Sequence, residues 1–268
     1  SGYQIQPFDC PTIITPAALV KASVSYERPV DWHNQRLGKS LEDRETSLAV
    51  SDIENTMIRD YPSGTMSYVM GLDMGSTCWA VVAAVLPDQT MIVVRAEPIP
   101  LHKVVGRTVE LQQQYKIRMI VVDRGPMTEA VYQIQQRVRN SFAAVFVNST
   151  GIDLFKVTDR EGDASKGVED VSKDACMDVI LALIRSGNIL KVSDDQDKAW
   201  ITHLTDNKRI QMFKNGELVF TWVKTMKVDH YHMALVYAFC ASRILGVSSG
   251  YSGGSLPLIS SFKMTHKR

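Results

Sequence analysis

The sequence predicts an α/β fold in which a mixed central sheet, an antiparallel meander continued by parallel strands, is flanked by helices and carries an added β-hairpin. Three observations lead there. Residues 67–100 hold three apolar runs, SYVMGLDM, TCWAVVAAVL and TMIVVRAEPI, separated only by Gly75-Ser76 and Pro87-Asp88-Gln89. Connections that short join antiparallel neighbours. Residues 101–147 then alternate helical and strand periods. Asn215-Gly216, between RIQMF and LVFTW, is a strong hairpin signal because both residues tolerate positive φ.

Taken in order, residues 1–66 contain Pro7, Pro11, Pro16 and Pro29 and no sustained alternation. They read as a lead-in segment, with a short helix over 46–59 and a turn at Tyr61-Pro62-Ser63-Gly64-Thr65 marking its end. One domain is expected over 67–246. After the meander come a helix over about 101–115, a short buried strand MIVVD ending at Asp123, a helix over about 127–139 and a strand AAVFV. A further helix is expected over 168–185, with Val171, Ala175, Val179, Ala182 and Leu183 on one face and Gly187 as its stop. Residues 188–225 read as β throughout. The last helix, over about 229–245, is nearly all apolar and is expected to be buried. Residues 247–268, rich in Gly and Ser, read as a flexible tail ending in the basic cluster Lys263, His266, Lys267, Arg268.

A chain of 268 residues that is 45% hydrophobic and 22% charged has ample material for a core, which excludes a mostly disordered protein. The net charge of +1 is divided, −3 over residues 1–66 and +4 over the rest. No apolar run approaches the ~18–20 residues that span a bilayer, and the N-terminus lacks the pattern of a signal peptide. Cys10, Cys78, Cys176 and Cys240 are far apart and form no C-x-x-C pair. They read as reduced core residues of an intracellular protein, which makes the sequon Asn148-Ser149-Thr150 irrelevant. The chain opens on Ser1-Gly2 without an initiating Met and reads as a piece of a longer protein.

Chemistry is concentrated in three acids. Asp73 lies near the end of the first meander strand, Asp123 ends MIVVD, and Asp229 stands where the last helix begins, in KVDHYHMALVYAFC. A carboxylate after four or five apolar strand residues is costly to bury alone, so it tends to sit at a sheet end facing a partner. If the strands of Asp73 and Asp123 are neighbours, the two carboxylates emerge together as a hard-oxygen site suited to Mg²⁺ or Mn²⁺. Plainer roles compete: a turn cap for Asp73 and Asp123, a helix N-cap for Asp229, and ordinary first-turn polarity for His230, Tyr231 and His232. Asp153, Asp159, Asp163 and Asp170 read as solvated loop acids.

Three meander strands, a helix, a strand ending in an acid and a late helix opening on one describe a ribonuclease H-like arrangement. Within it, YVMGLDMGSTCWAVVA, MIVVDRGP and VDHYHMALVYAF resemble the nuclease domain of tailed-phage large terminase subunits, the DNA-packaging motor proteins. VSKDACMDVILALIRSGNI resembles that family's helix ending in an apolar-Gly turn. WHNQRLGKS is similar to the segment where the family's ATPase portion ends. The resemblance covers about residues 30–245 and implies a metal-dependent endonuclease that cuts concatemeric double-stranded viral DNA by two-ion hydrolysis. It also implies Asp73, Asp123 and Asp229 as catalytic metal ligands for Mg²⁺ or Mn²⁺. The chain departs from the family at the third motif, which usually carries two adjacent acids and a further acid before Ala-Leu. Those places hold Asp229, His230 and Met233, which makes His230 a further candidate ligand.

The implied partners are duplex DNA and, in the full-length protein, an ATPase domain, a portal ring and a small terminase subunit. The implied place is the host cytoplasm at the procapsid, outside the mature virion. Lys103, Arg107, Lys116, Arg118, Arg124, Lys208, Arg209 and Lys214 are candidate phosphate contacts. Leu37-Gly38-Lys39-Ser40 has the ending of a P-loop but has His33 where its first glycine is required. Two other readings stay open. Gly71-Leu72-Asp73-Met74-Gly75-Ser76-Thr77 is similar to the first phosphate motif of actin-like ATPases and sugar kinases. The missing acid at His230 fits a non-catalytic DNA-end-binding module of nuclease descent.

Overall fold

The computed structural model describes residues 47–61, 63–125, 127–147, 154–158, 167–214, 217–226 and 228–248. From Leu48 onward they belong to one unit. It opens with α1 (Val50–Glu54) and β1 (Met57–Ile58), followed by the meander β2 (Ser67–Asp73), β3 (Thr77–Val85) and β4 (Met91–Pro100). After a 3₁₀ turn come α2 (Val104–Tyr115), β5 (Met119–Asp123), α3 (Thr128–Arg137) and β6 (Ser141–Val147). The chain continues through β7 (Lys156–Thr158), β8 (Gly167–Ser172), α4 (Lys173–Arg185), β9 (Ile189–Val192) and α5 (Asp197–Thr205). The hairpin strands β10 (Asn207–Lys214) and β11 (Glu217–Lys224) and the helix α6 (His230–Ser248) complete it.

Nine of these strands form one sheet in the order β1-β9-β4-β3-β2-β5-β6-β8-β7. At its centre β4-β3-β2 is antiparallel, and β2 pairs in parallel with β5, which pairs in parallel with β6. This is the expected ribonuclease H-like arrangement, a meander continued by parallel strands. Strand alternation divides the core in two. Val69, Val81, Val93 and Val121 point to one face, under α4, α5 and α6. Met70, Leu72, Val82 and Ile120 point to the other, under α2 and α3. Because both faces are covered, strands such as MIVV are continuously apolar rather than alternating. Each fully buried Leu or Ile in them contributes roughly 1.5–3 kcal/mol. Cys78, Cys176 and Cys240 are buried thiols within these layers, as expected.

Helix α6 crosses directly over β2. A Cβ on Gly71 would stand 2.0 Å from the Ala234 carbonyl oxygen and 2.2 Å from the Ala238 nitrogen. The absent side chain is what lets helix and strand backbones meet. Gly71 is thus covered by protein, which leaves Gly75 as the one glycine of Gly71–Thr77 that is partly open.

The structure differs from the sequence reading in three stretches. Residues 167–172 form β8 rather than the first turn of a helix, with Val168 and Val171 in register with β6. The helix starts only at Lys173, where the Ser172 hydroxyl accepts from the Ala175 N–H. Within 188–225, α5 interrupts the expected β region and buries Trp200, His203 and Leu204. Residues ahead of Ser67 join the sheet as well: β1 pairs in parallel with β9, and Leu48 and Ile53 are core residues. The hairpin forms as expected, its register leaving two residues between Lys214 and Glu217. Asn215-Gly216, the Leu37–Ser40 segment, Asp153, Asp159, Asp163, the sequon and residues 249–268 lie outside the described residues, as does the side chain of Asp170. Among the described residues no helix is long and apolar enough to cross a membrane.

Candidate functional site

Asp73 and Asp123 end neighbouring parallel strands, one step beyond the Leu72 and Val122 pair. Adjacent strands lie about 4.8 Å apart. Both aspartates share the parity of Val69 and Val121, so both carboxylates project on the α6 face of the sheet. The adjacency on which the paired-carboxylate reading depended is therefore present. Asp123 Oδ1 accepts from the Gly125 N–H at 3.0 Å. Burial pushes the Asp123 carboxyl up from its ordinary range; the Asp73 charge adds to this, while the Gly125 and Met74 N–H groups and the Tyr237 hydroxyl oppose it. Asp73 is likewise raised by burial, although the contact with His230 works against the shift.

The start of α6 closes the site. His230 Nδ1–H donates to Asp73 Oδ2 at 2.9 Å, and the imidazole stacks on Trp79 with ring centroids 5.4 Å apart and planes 3° from parallel. The hydrogen bond to Asp73 raises the His230 pKa. Trp79 is opposite Asp73 in the β2–β3 register, which brings its indole to the same place. His203 of α5 packs edge-on against both Trp79 and His230 and accepts from the Tyr231 N–H at 3.2 Å. Burial pushes His203 and His232 down to about 4, so both are neutral at physiological pH. His232 turns away from Asp73 and meets the Asn207 amide at 3.2 Å.

Asp229 has surroundings the sequence did not disclose. Its carbonyl accepts from the Met233 N–H, so its backbone opens α6. Its side chain does not cap the helix. The carboxylate is 0% exposed, neither oxygen receives a well-directed hydrogen bond, and the charge is balanced by Lys224 Nζ at 2.5 Å and Lys173 Nζ at 3.8 Å. Among the described residues no group of three or more His, Cys, Asp and Glu side chains is arranged to hold a metal ion. The fit to an implied metal is thus uneven. Asp73 and Asp123 present neighbouring hard oxygens, whereas Asp229 is already neutralised by ammonium groups. Trp79, His203, Lys173 and Lys224 escaped the sequence reading. The short turn that sets Asp73 opposite Trp79 was a usable signal for the first; nothing local marks the others.

Several of the basic residues considered for phosphate contact are committed within the protein. Arg107 pairs with Glu97 at 2.5 Å and Glu110 at 2.9 Å. Arg209 pairs with Asp178 at 2.8 Å and lies over the Phe220 ring. Arg118 donates to Ser67 Oγ at the far end of β2 from Asp73.

The hairpin base is tied to the site by Asp206, which is 1% exposed. Its carboxylate accepts from the Thr225 hydroxyl at 2.6 Å, the Met226 N–H, and the Val228 N–H at 2.8 Å. Burial alone would raise this carboxyl, but those donors outweigh it and hold its pKa below the ordinary 3.8. A depressed folded pKa contributes stability above the unfolded value that is lost as pH falls through the folded one. Asp206→Ala is therefore expected to lower stability by roughly 2–3 kcal/mol at pH 7. Urea melts should show the gap narrowing below about pH 4; a gap unchanged at pH 2.5 would mean that the carboxylate's charge is not what the loop uses.

The sequence matches no protein-family model and no curated protein. Solved structures with a similar fold exist. The large terminase nuclease of thermophilic phage G20c aligns at a TM-score of 0.48 and 12% identity, over 71% of this chain and 96% of that one. The P22 large terminase nuclease domain aligns at 0.48 and 11% identity, over 75% and 93%. The large terminase of bacteriophage HK97 aligns at 0.46 and 11% identity over 83% of this chain. The match spans 49%, about half, of that longer protein.

Proposed function

We propose that the chain is the nuclease portion of a phage DNA-packaging protein, a metal-dependent endonuclease that cuts concatemeric double-stranded DNA. The observation that carries the reading is the pair Asp73 and Asp123, half-buried side by side on one face at the ends of adjacent parallel strands. Two neighbouring carboxylates pushed up by burial are stabilised as anions by a hard divalent cation, Mg²⁺ or Mn²⁺. Such a cation, when bound, neutralises charge on the phosphate and lowers the pKa of water. His230 orients Asp73 through its hydrogen bond, and the Trp79 stack fixes the imidazole plane. The expected third ligand, Asp229, completes a two-ion set only if it is released from Lys224. In the longer protein we place an ATPase portion beside this domain, with a portal ring and a small subunit as partners in packaging at the procapsid.

The test is supercoiled plasmid incubated with the chain and Mg²⁺ or Mn²⁺, without ATP. Nicking and linearisation that EDTA stops are expected. Cutting that needs ATP, or continues in EDTA, would refute the assignment. DNA retention without any cutting would favour the non-catalytic end-binding reading, for which the ion-paired state of Asp229 speaks.

A further inference from the structure

We propose that Lys224 supplies, at Asp229, the positive charge that a second divalent ion would otherwise bring, so that the site takes one divalent ion, held by Asp73 and Asp123. The inference rests on the nuclease reading above and replaces its two-ion form.

Asp229 is fully buried, and a buried carboxylate needs a compensating charge. The helix it opens does not provide one, since neither carboxylate oxygen accepts from its N–H groups. Lys224 Nζ at 2.5 Å from Oδ1 and Lys173 Nζ at 3.8 Å from Oδ2 do. Lys173 opens α4 and Lys224 ends β11, so two separate elements converge on this carboxylate.

The position of Lys224 is fixed on both sides. Two residues earlier, Trp222 donates its backbone N–H to Asp174 Oδ1 at 3.1 Å and its indole N–H to Asp178 Oδ1 at 2.9 Å, which fastens β11 to α4. Immediately after it, Thr225 and Met226 donate to Asp206. The Lys224 side chain as a whole is 40% exposed, so it is not sealed in with the fully buried Asp229. An ammonium has three donors, and neither Asp229 oxygen takes one in a well-directed hydrogen bond, so they can meet an anionic phosphate oxygen.

Asp73 and Asp123 differ in this respect. Asp73 meets the His230 imidazole and Asp123 the Gly125 N–H, and among the described residues no ammonium lies within ion-pair distance of either, the Lys224 charge reaching Asp73 only from farther away. A divalent ion bringing two charges to Asp229 would stand beside the Lys224 ammonium and be repelled by it, whereas one at the Asp73–Asp123 pair would meet two carboxylates. A tethered ammonium also needs no dissociation equilibrium of its own, so it neutralises phosphate charge at any metal concentration.

The experiment counts Mn²⁺ bound by the full chain, by calorimetric titration and by the loss of the free-ion electron spin resonance signal. One ion per chain is expected for the wild type, for Lys224→Arg and for Asp229→Asn, the last with affinity within about threefold of the wild type. Lys224→Met should raise the count to two, because it leaves the Asp229 carboxylate with only the more distant Lys173 ammonium. Lys224→Met combined with Asp229→Asn removes both charges of the close pair, leaves only the Lys173 ammonium beside the spot and should return the count to one. Two ions on the wild type, or loss of the ion in Asp229→Asn, would overturn the proposal, as would a folded Lys224→Met chain that still binds one. No Mn²⁺ on the wild type would instead remove the metal-nuclease reading itself.

Discussion

Asp73→Asn and Asp123→Asn are each expected to reduce DNA cleavage by roughly a thousandfold or more, which corresponds to about 4 kcal/mol of barrier. An asparagine keeps the shape of the aspartate and loses the anion. At Asp73 the amide oxygen can still accept from His230, so the histidine and its Trp79 stack should stay in place. What disappears is half of the paired charge that favours a divalent cation. The same change should relieve the fold. Both carboxylates are pushed up by burial, and Asp123 feels Asp73 as a like charge. In the absence of metal, either variant should therefore melt at or above the wild-type temperature while being inactive, a sign that the site holds charge for function rather than for stability. Plasmid cleavage in Mn²⁺ and thermal unfolding in EDTA measure the two halves of this expectation. Variants that cut like the wild type would move the catalytic site elsewhere.

The parts of this site that were legible in the sequence are those built from local pattern. MIVVD announces both a buried strand and the carboxylate at its end, because a short, β-branched apolar run of that kind suits a strand covered on both faces. The meander and the hairpin were legible from short, Gly- or Pro-marked connections. What the sequence left open or missed shares a cause. Whether Asp73 and Asp123 meet depends on β2 and β5 being neighbours, a choice of sheet order that neither strand encodes by itself. Lys224 reaches Asp229 only because Asp206 folds the chain between them into a tight loop. Helix α5 was missed because its entry, Asp194-Asp195-Gln196-Asp197, reads as a polar loop, and only packing of Trp200 and Leu204 reveals the helix. In β8, Val168 and Val171 also suit one face of a helix, and it is pairing with β6 that decides for strand.

Gly71→Ala is expected to be the most destabilising single-atom addition at the site, costing roughly 3–5 kcal/mol. The added methyl carbon would fall 2.0 Å from the Ala234 carbonyl oxygen and 2.2 Å from the Ala238 nitrogen. Those are helix backbone atoms, so no side-chain rotamer can relieve the contact; α6 itself must lift from β2. The helix is buried along most of its length, with Tyr231, Leu235, Tyr237 and Phe239 at 0% exposure, and a rigid shift disturbs all of these contacts together. It also carries His230 at its first turn and has Asp229 immediately before it, with His230 bonded to Asp73. A displacement of even about 1 Å there can cost a hundredfold in rate. Gly71→Ala should therefore lower both the melting temperature and the cleavage rate, in contrast to Asp73→Asn, which should lower the rate alone. Gly106, on α2, has open space within 4 Å of where an added methyl would stand and serves as the control: Gly106→Ala should be neutral or stabilising. Denaturant melts of the three variants side by side decide the matter. A Gly71→Ala chain as stable as the wild type would mean that α6 does not press on β2 as closely as its backbone contacts require.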